Sequence, residues 1–292
     1  MRFVDYLKLA WDQLRRRKVV TLLCMMGIGI GSSSIIVALS FSESVTQFSE
    51  QRMGFYLKTD EIEVRGRDSG GPEAGKGNDS YSLTDQKIKI IQDLPNVIGT
   101  APFQQLGYFS FTTDQTKNGS TDVIASDFES LEQFGYELQQ GTFEHVHNGI
   151  ILSYGATMNL RDTRLPPELQ SNHADDQPII AYPMYQKVIS LNVVAADGAG
   201  GAISGQIPLR VVGILKKPEG MPDEQIQYDR TAFVTQETAS QIVDILKSGR
   251  DWFEREPTLK VKVASVDDVK QTETLIQKLK LITMSNVYRQ EM

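Results

Sequence analysis

The chain has 292 residues, of which 40% are hydrophobic and 23% are charged, and its formal net charge is −7. This globular composition disfavours a collagen-like, a disordered or a polytopic membrane protein. Residues 42–292 carry 24 basic and 35 acidic side chains, which disfavours nucleic-acid binding, because duplex affinity depends on neutralising phosphates with Lys and Arg. The single cysteine, Cys24, excludes an intrachain disulfide and a zinc site built from cysteines.

The first 18 residues predict an amphipathic helix in the cytoplasmic membrane interface, followed by a basic anchor. Large apolar residues recur at spacings of four, four and three, so they share one side of a helix. These residues are Phe3, Leu7, Trp11 and Leu14. The basic anchor consists of Arg15, Arg16, Arg17 and Lys18. A charged tail without such a helix is the alternative.

An uncharged stretch runs from Val19 to Phe41, over 23 residues. As a helix it is about 35 Å long, which exceeds the roughly 30 Å of a bilayer core, so residues 19–41 are predicted to be a transmembrane helix. The basic anchor precedes the span and no comparable cluster follows it. The positive-inside rule therefore predicts a cytoplasmic N-terminus and an extracytoplasmic body. A cleaved signal peptide is the alternative, although its apolar core is usually only about 7–15 residues long.

Two glycines inside the span, Gly27 and Gly31, lie four residues apart and therefore on one side of the helix. Small residues at this spacing let two membrane helices approach closely. We therefore expect Gly27 and Gly31 to form a packing face toward another membrane helix. The alternative is that they have no such role, since glycine is common in membrane helices.

The body begins with a predicted stalk helix over residues 42–57, which keeps one apolar side. Alternation at 61–65 predicts a strand. Thr84 and Asp85 then predict the start of a helix that Pro95 ends. Strands are predicted around Val97–Ile98 and at Tyr108–Phe111, with a turn around Lys117–Ser120.

The C-terminal part repeats this order. Residues 259–263 alternate as a strand, Ser265 caps a helix, and 281–284 predict a closing strand. We therefore predict an α+β fold in which residues 58–119 and 231–292 form one split βαβ subdomain, ferredoxin-like and porter-type. Residues 120–230 are predicted to be an inserted β-rich subdomain.

Several short segments occur in an order that matches one known family. Near the N-terminus these are Leu9–Lys18 and Gly27–Gly31. In the body they are Leu94–Val97, Gly135–Phe143 and Leu209–Leu215. Together they resemble the MacB/FtsX-type permeases of ABC transporters, which begin with an interfacial helix, a basic cluster and a glycine-rich membrane helix. The order of the segments along nearly the whole chain carries the resemblance.

The resemblance implies the N-terminal part of a permease subunit that is not an enzyme and has no cofactor. In this family, ATPase-driven movement of the membrane helices is passed to the outer domain (mechanotransmission) in export or extraction of a substrate. The implied partners are a separate cytoplasmic ABC ATPase, a permease mate in a homo- or heterodimer, an extracytoplasmic accessory protein and the lipid bilayer. The implied location is the bacterial cytoplasmic membrane.

The family continues into three further membrane helices, whereas this sequence shows no second apolar run before Met292. We expect either a shortened chain or a stand-alone relative. The alternative function is a single-pass, membrane-anchored extracellular binding or sensor protein without a transport role.

Catalytic and ligand-binding motifs are not supported. The segment Gly70–Gly77 nearly spells a phosphate-binding loop, but Gly77 stands where a magnesium-binding Ser or Thr is needed. His145, His147 and His173 give no metal-ligand spacing. A membrane-tethered hydrolase is disfavoured because the sequence contains no Gly-x-Ser-x-Gly segment.

Overall fold

The computed structural model describes residue 11 and residues 16–56, 60–66, 82–114, 116–164, 180–196, 201–249 and 257–286. The chain divides into two units, residues 1–58 and 59–292. The first unit contains one long helix and the second contains a mixed sheet with short helices.

The long helix α1 covers Lys18–Tyr56, which is 39 residues. It contains the predicted transmembrane span and most of the predicted stalk without an interruption, since no proline occurs between its ends. The other helices are α2 (Asp85–Gln92), α3 (Phe128–Leu131), α4 (Asp223–Ile226), α5 (Gln236–Lys247) and α6 (Val269–Gln277).

The strands of the second unit form one connected sheet. They are β1 (Glu61–Arg65), β2 (Val97–Thr113), β3 (Lys117–Ser126), β4 (Leu138–Gly141), β5 (Gly149–Leu152), β6 (Arg161–Asp162), β7 (Val188–Ala196), β8 (Ala202–Leu215), β9 (Thr231–Val234), β10 (Thr258–Val263) and β11 (Ile282–Ser285).

At one end of the sheet the order is β11-β1-β10-β2, and every neighbouring pair is antiparallel. The helix α2 connects β1 to β2, and α6 connects β10 to β11. One face of these strands packs against both helices, because Ile62 and Val261 share a buried cluster with Ile91 of α2 and Ile276 of α6. Thus the two strand–helix–strand units interleave and share one core.

The remaining sheet closes on itself. The order β2-β7-β8-β5-β9-β3 returns to β2, because β3 also pairs with β2. The β5–β8 and β3–β9 pairs are parallel and the other pairs of this ring are antiparallel. The inward side chains, among them Phe111, Leu191 and Ile207, form the largest buried cluster, and Ile242 and Leu246 of α5 pack into it.

The strand β2 belongs to both parts of the sheet. Its first residues pair with β10, from Val97 to Phe103, and its later residues pair with β3 and, over Ser110–Thr113, with β7. The sequence predicted two separate strands in this segment. The chain instead continues through a bulge between Gln105 and Gly107, which lets one strand change neighbours without ending.

The predicted turn around Lys117–Ser120 is wrong, because these residues lie inside β3. The chain turns earlier, at Asp114, which has a positive φ of 50°. Gly119 is needed for space, since a Cβ there would lie 2.4 Å from Phe111 Cζ and 2.7 Å from Leu160 Cδ2. In the sequence, a glycine that makes room for a core aromatic side chain cannot be distinguished from a glycine of a turn.

The structure assigns residues to the two cores differently from the predicted subdomain boundaries. The strand β9 and the helix α5 were grouped with the split βαβ subdomain, but Ala232, Val234 and Ile242 belong to the core of the closed ring. The second strand–helix–strand unit starts only at β10. The reason is pairing: β9 lies between β3 and β5.

We expect Gly119→Ala to lower the free energy of unfolding by about 1–3 kcal/mol, because the added methyl overlaps Phe111. In a Phe111→Leu background the same change should cost at least about 1 kcal/mol less, since the overlapping ring is gone. Chemical denaturation of the four variants of this cycle is the measurement. An equal cost in both backgrounds would show that the Phe111 ring is not what requires a glycine at position 119.

Candidate functional site

The apolar part of α1 presents its side chains outward. Within Lys18–Ser42, a segment long and apolar enough to cross a membrane, none of the side chains that the structure describes is buried. Three consecutive serines are compatible with lipid, because their hydroxyls donate to carbonyls of the preceding turn: Ser32 to Ile28 at 2.7 Å, Ser33 to Ile30 at 3.0 Å and Ser34 to Ile30 at 2.8 Å. In a hydrocarbon environment, backbone and hydroxyl groups need hydrogen-bond partners within the protein.

The predicted packing residues Gly27 and Gly31 are both helical and exposed. A Cβ built on either of them would have no atom within 4 Å apart from its own helix, and the same holds for Gly29. The face therefore has room for a second helix, but the geometry does not distinguish the pair from Gly29. Their role stays a prediction.

The N-terminal residues are described in part. Trp11 is helical and 69% exposed, and Arg16, Arg17 and Lys18 are exposed. Phe3, Leu7, Leu14 and Arg15 lie outside the described residues. The interfacial helix and the basic anchor therefore stay predictions; Arg16 and Arg17 lie directly before α1, and Lys18 is its first residue.

The first and the last described strands of the second unit are neighbours in the sheet. Ile62 of β1 pairs with Ser285 of β11, and the two strands are antiparallel. The start of β1 is held further by Val263, whose N–H donates to the Asp60 carbonyl at 3.0 Å, and by Lys262, whose Nζ lies 3.3 Å from Asp60 Oδ2. The start of β1 and the end of β11 are thus side by side.

Two of the segments that carry the family resemblance meet in the structure. Within them, β4 pairs with β8, with Leu138 opposite Leu215 and Gly141 opposite Gly213. Gly141 has a φ of 101°, and a Cβ on it would lie 2.1 Å from the Val212 carbonyl oxygen. These glycines therefore serve a close backbone approach rather than chemistry.

The third such segment, Leu94–Val97, joins the two strand–helix–strand units. Leu94 and Val97 pack against their shared core. Asn96 adopts a φ of 70° and donates from Nδ2 to Asp268 Oδ1 at 2.9 Å, while its carbonyl accepts from the Ala264 N–H at 2.9 Å. Asparagine tolerates this left-handed backbone conformation, and its contacts hold two loops together, so both properties explain why the segment contains Asn96.

A cluster of charged side chains surrounds Tyr182 at the end of the β2–β3 hairpin. The Tyr182 hydroxyl donates to Asp114 Oδ2 at 2.6 Å, and Lys187 Nζ contacts both groups. The ammonium groups of Lys187 and Lys117 lie 4.4 and 4.9 Å from the centre of the Tyr182 ring. The sequence analysis missed this cluster, because its members are far apart in the chain and form no motif.

Asp162 extends the cluster. Its Oδ2 lies 3.9 Å from Lys117 Nζ, and Arg164 donates to it three times, from the backbone N–H at 3.0 Å, from Nε at 3.1 Å and from Nη2 at 2.9 Å. The Arg164 guanidinium lowers the pKa of Asp162 to about 2. Hydrogen bonds from Lys187 and then Tyr182 lower the pKa of Asp114. Each carboxylate is therefore held in its charged form by a cation or a hydroxyl beside it.

Metal and nucleotide sites gain no support from the part of the chain that the structure describes. That part contains no group of three or more His, Cys, Asp or Glu side chains arranged to hold a metal ion. His147 Nδ1 lies 3.0 Å from Glu237 Oε2, so this imidazole has a protein partner. His173 and the Gly70–Gly77 loop lie outside the described residues.

Residues 21–279 match the sequence family described as the MacB-like periplasmic core domain. The chain belongs to this family. The match extends from the membrane helix to the end of α6, and it confirms the resemblance on which the sequence analysis relied. A periplasmic core domain joined to an apolar helix of spanning length makes the chain a membrane-anchored protein with an extracytoplasmic domain.

One curated relative is the macrolide export ATP-binding/permease protein MacB of Vibrio parahaemolyticus serotype O3:K6 (strain RIMD 2210633), which is 25% identical over 218 residues. The alignment covers 74% of this chain and 29% of that protein. The chain thus spans under a third of the length of this relative.

Two solved structures are similar at 12% identity. The periplasmic region of MacB from Actinobacillus actinomycetemcomitans has a TM-score of 0.46, over 80% of this chain and 92% of that one. The extracellular domain of the noncanonic ABC-type transporter YknZ from Gram-positive bacteria has a TM-score of 0.41, over 77% and 100%. Both scores are below 0.5, and the match of residues 21–279 to the family is what shows the membership of the chain.

We expect the charge cluster to stabilise the fold above about pH 4 and to lose this effect as the pH falls toward 2. Asp162 has a lowered pKa of about 2 in the fold, against about 3.9 in an unfolded chain. Protonation between these values therefore favours unfolding. Asp162→Asn should lower the melting temperature at pH 7 and weaken its dependence on pH between about 4 and 2.

Salt provides the control for this prediction, because the ion pairs lie at the surface. In about 1 M NaCl the difference in melting temperature between the parent and Asp162→Asn should shrink. An identical pH profile for both proteins at low salt would contradict the assigned role of Asp162.

Proposed function

We propose that the chain is the N-terminal part of a permease subunit of a MacB/FtsX-type ABC transporter. In this proposal its outer domain receives ATPase-driven movement of the membrane helix and uses it in export or extraction of a substrate. The family match supports the permease, and the arrangement of β1 and β2 supports the transmission of movement.

The observation that carries the proposal is the position of β1. Only residues 57–59 separate α1 from Asp60 in the sequence. The strand β1 is paired on both sides, with β10 and β11, so a displacement of its start is passed to both neighbours. From β10 the ladder continues to β2, which extends into the closed ring. Because paired strands resist sliding, movement at Asp60 would be carried through the backbone.

The strand order β11-β1-β10-β2 supports a split ferredoxin-like subdomain of the porter type. The strands of its two βαβ units alternate in the sheet, and each strand is antiparallel to its neighbours, as such a fold requires. We place its halves within 58–119 and 231–292, and the inserted β-rich subdomain at 120–230. The packing of β9 and α5 with the ring moves the second boundary toward Thr258.

The proposed partners follow from this function. They are a separate cytoplasmic ABC ATPase, a permease mate and an extracytoplasmic accessory protein, in the bacterial cytoplasmic membrane with the N-terminus inside. The basic anchor beside the span supports this orientation. The adjacent ends of β1 and β11 suit a domain placed between two membrane helices. A membrane-anchored binding protein without a transport role is not favoured by the family match.

We expect a flexible insertion between Leu57 and Lys58 to uncouple the outer domain from the membrane helix. About six Gly and Ser residues add a random-coil spacer with a typical span of roughly 13 Å. In the complete permease with its ATPase, the distance between a spin label on Thr274→Cys and a spin label on the outer domain of the mate should change with ATP. The insertion should abolish this change and leave ATP hydrolysis intact.

The same insertion between Gly75 and Lys76, in the predicted loop, is the matched control and should preserve the change. If the parent complex shows no ATP-dependent change in distance, the transmission of movement is disproved. If the change survives the insertion after Leu57, the membrane helix is not the element that drives it.

We expect the body to be accessible from outside the cell. A cysteine at Ser240, an exposed residue of α5, in a Cys24→Ser background should react with a membrane-impermeant maleimide on intact cells. The positive-inside rule gives the physical reason. Labelling only after lysis, with normal labelling of the denatured protein, would reverse the proposed orientation.

We expect Gly27→Leu/Gly31→Leu to disrupt assembly with partner membrane helices while insertion remains normal. Two leucines keep the backbones apart, yet leucine is favourable in a membrane. Co-purification of the complete permease with its mate and ATPase is the measurement. Ile28→Leu/Ile30→Leu is the matched control, since it changes volume little. Full recovery of the glycine variant would show that this side faces lipid.

A further inference from the structure

The strand β11 is the outermost strand at its end of the sheet. It pairs with β1 on one side, and no strand of the described chain lies on its other side. The backbone groups of an unpaired edge form a template for a further strand, and many proteins protect such an edge with lysine or proline. The segment Ile282–Ser285 contains neither residue. We call Ile282–Ser285 the open edge.

The open edge presents apolar side chains on one face. Ile282 and Met284 are 42% and 57% exposed. Thr283, between them, is half-buried and lies opposite Val64, which belongs to the core beneath α2 and α6. Because successive residues of a strand point to opposite faces, Ile282 and Met284 share the face that the two helices do not cover.

This pattern is complementary to itself in one antiparallel register. Residues directly opposite each other in such a pair point to the same face. A two-fold axis at Thr283 places Ile282 opposite the partner subunit's Met284, and the symmetry creates this apolar contact twice. An axis at Met284 would instead place Ile282 opposite the amide of the partner subunit's Asn286. The hydrophobic pattern therefore favours the axis at Thr283.

The position of α6 leaves room for this pairing. Gln277 of α6 donates from Nε2 to Thr283 Oγ1 at 2.8 Å, and Ile276 packs with Ile62 of β1, so α6 lies above β11 and β1. Across the axis, the two copies of α6 would lie two strand spacings apart, which is about 10 Å. Packed helices are usually about 8–10 Å apart, so the two helices become neighbours without overlap.

An acidic side chain beside the open edge has no partner within the described chain. Glu273 is only 4% exposed and makes no hydrogen bond or ion pair with the described residues, although neither of its carboxylate oxygens is fully enclosed. It lies about one helical turn before Gln277 and therefore above the end of β11 that carries Ser285. Ser285 Oγ is also buried without a described hydrogen-bond partner.

The same register brings cations to this acidic side chain. Ser285 would lie opposite the partner subunit's Leu281, so the turn between α6 and β11 of the second copy comes next to Glu273. That turn contains Lys278 and Lys280, which are both exposed. A buried carboxylate without a cation is costly, and a neutral or acidic strand on the open edge would leave it so. Charge complementarity therefore favours a second copy as the occupant.

We propose that the open edges of two copies pair in the resting state and form one sheet across the permease dimer. A contact built on four residues of each copy is small compared with the roughly 1,200 Å² of a stable interface. The pairing therefore needs membrane helices that hold the copies close together, and a movement of the domains can break it. The proposal rests on the proposed function for this membrane-held mate, and it requires a mate of the same sequence.

The test is disulfide formation between full chains in membrane vesicles without nucleotide, in a Cys24→Ser background. Thr283→Cys lies on the axis, where opposite Cβ atoms are about 5 Å apart, so we expect a disulfide-linked dimer. Ile282→Cys and Met284→Cys should each give at least about tenfold less dimer alone, because their Cα atoms are then more than 7 Å from their own copies. A mixture of these two variants should form the dimer.

Matched variants test the contacts of the open edge. Adding Met284→Lys to Thr283→Cys should lower the yield of dimer at least about fivefold, because an edge lysine opposes pairing. Ile98→Lys, at a 58% exposed apolar position of β2, should leave the yield unchanged. Glu273→Gln should lower the yield about threefold, because the amide does not attract the basic turn. Unchanged melting temperatures show that each variant is folded.

Several results would overturn the proposal. The first is the absence of a dimer from Thr283→Cys, and the second is an equal yield from Ser240→Cys on α5, which indicates random collision. A disulfide to a different membrane protein would assign the open edge to that protein. An unchanged yield in Glu273→Gln would overturn the choice of a second copy. Since the test uses no ATPase, a dimer without ATP-dependent movement contradicts the proposed function alone.

Discussion

The hydrogen-bond ladder of β2 is the constraint on which the outer domain depends. One strand of 17 residues pairs with β10 at its start and with β3 and β7 further along. A shift of one residue would exchange the buried and exposed faces in both parts of the sheet. The register of β2 therefore fixes two cores at once, that of the split βαβ unit and that of the closed ring.

Close backbone contacts, rather than reactive groups, explain the segments typical of this family. Gly141 approaches the Val212 carbonyl where β4 meets β8, and Asn96 ties together the loops before β2 and after β10. Such positions cost conformational energy unless the residue tolerates a positive φ. They hold the shape of a domain whose proposed task is mechanical, and none of them is a catalytic residue.

Local sequence signals were reliable where a chemical cap or a long periodic run was present. Thr84 and Ser265 each accept a hydrogen bond from a backbone N–H at the beginning of the turn that follows, as their side chains predict. The uncharged run of residues 19–41 likewise predicted a helix, and it lies within α1. Signals that depend on one glycine were ambiguous: Gly119 resembled a turn residue, yet it makes room for Phe111.

The sequence by itself determined the membrane helix, the capped amphipathic helices, the alternating strands at both ends and, through its ordered segments, the family. These features depend on residues a few positions apart. Only the tertiary structure decided that β2 is continuous, that β3 closes the ring, that β9 and α5 join its core, and that the Tyr182 cluster exists. The physical reason is that strand pairing joins distant parts of the chain, and alternation shows which residues share a face of one strand but not which strands become neighbours.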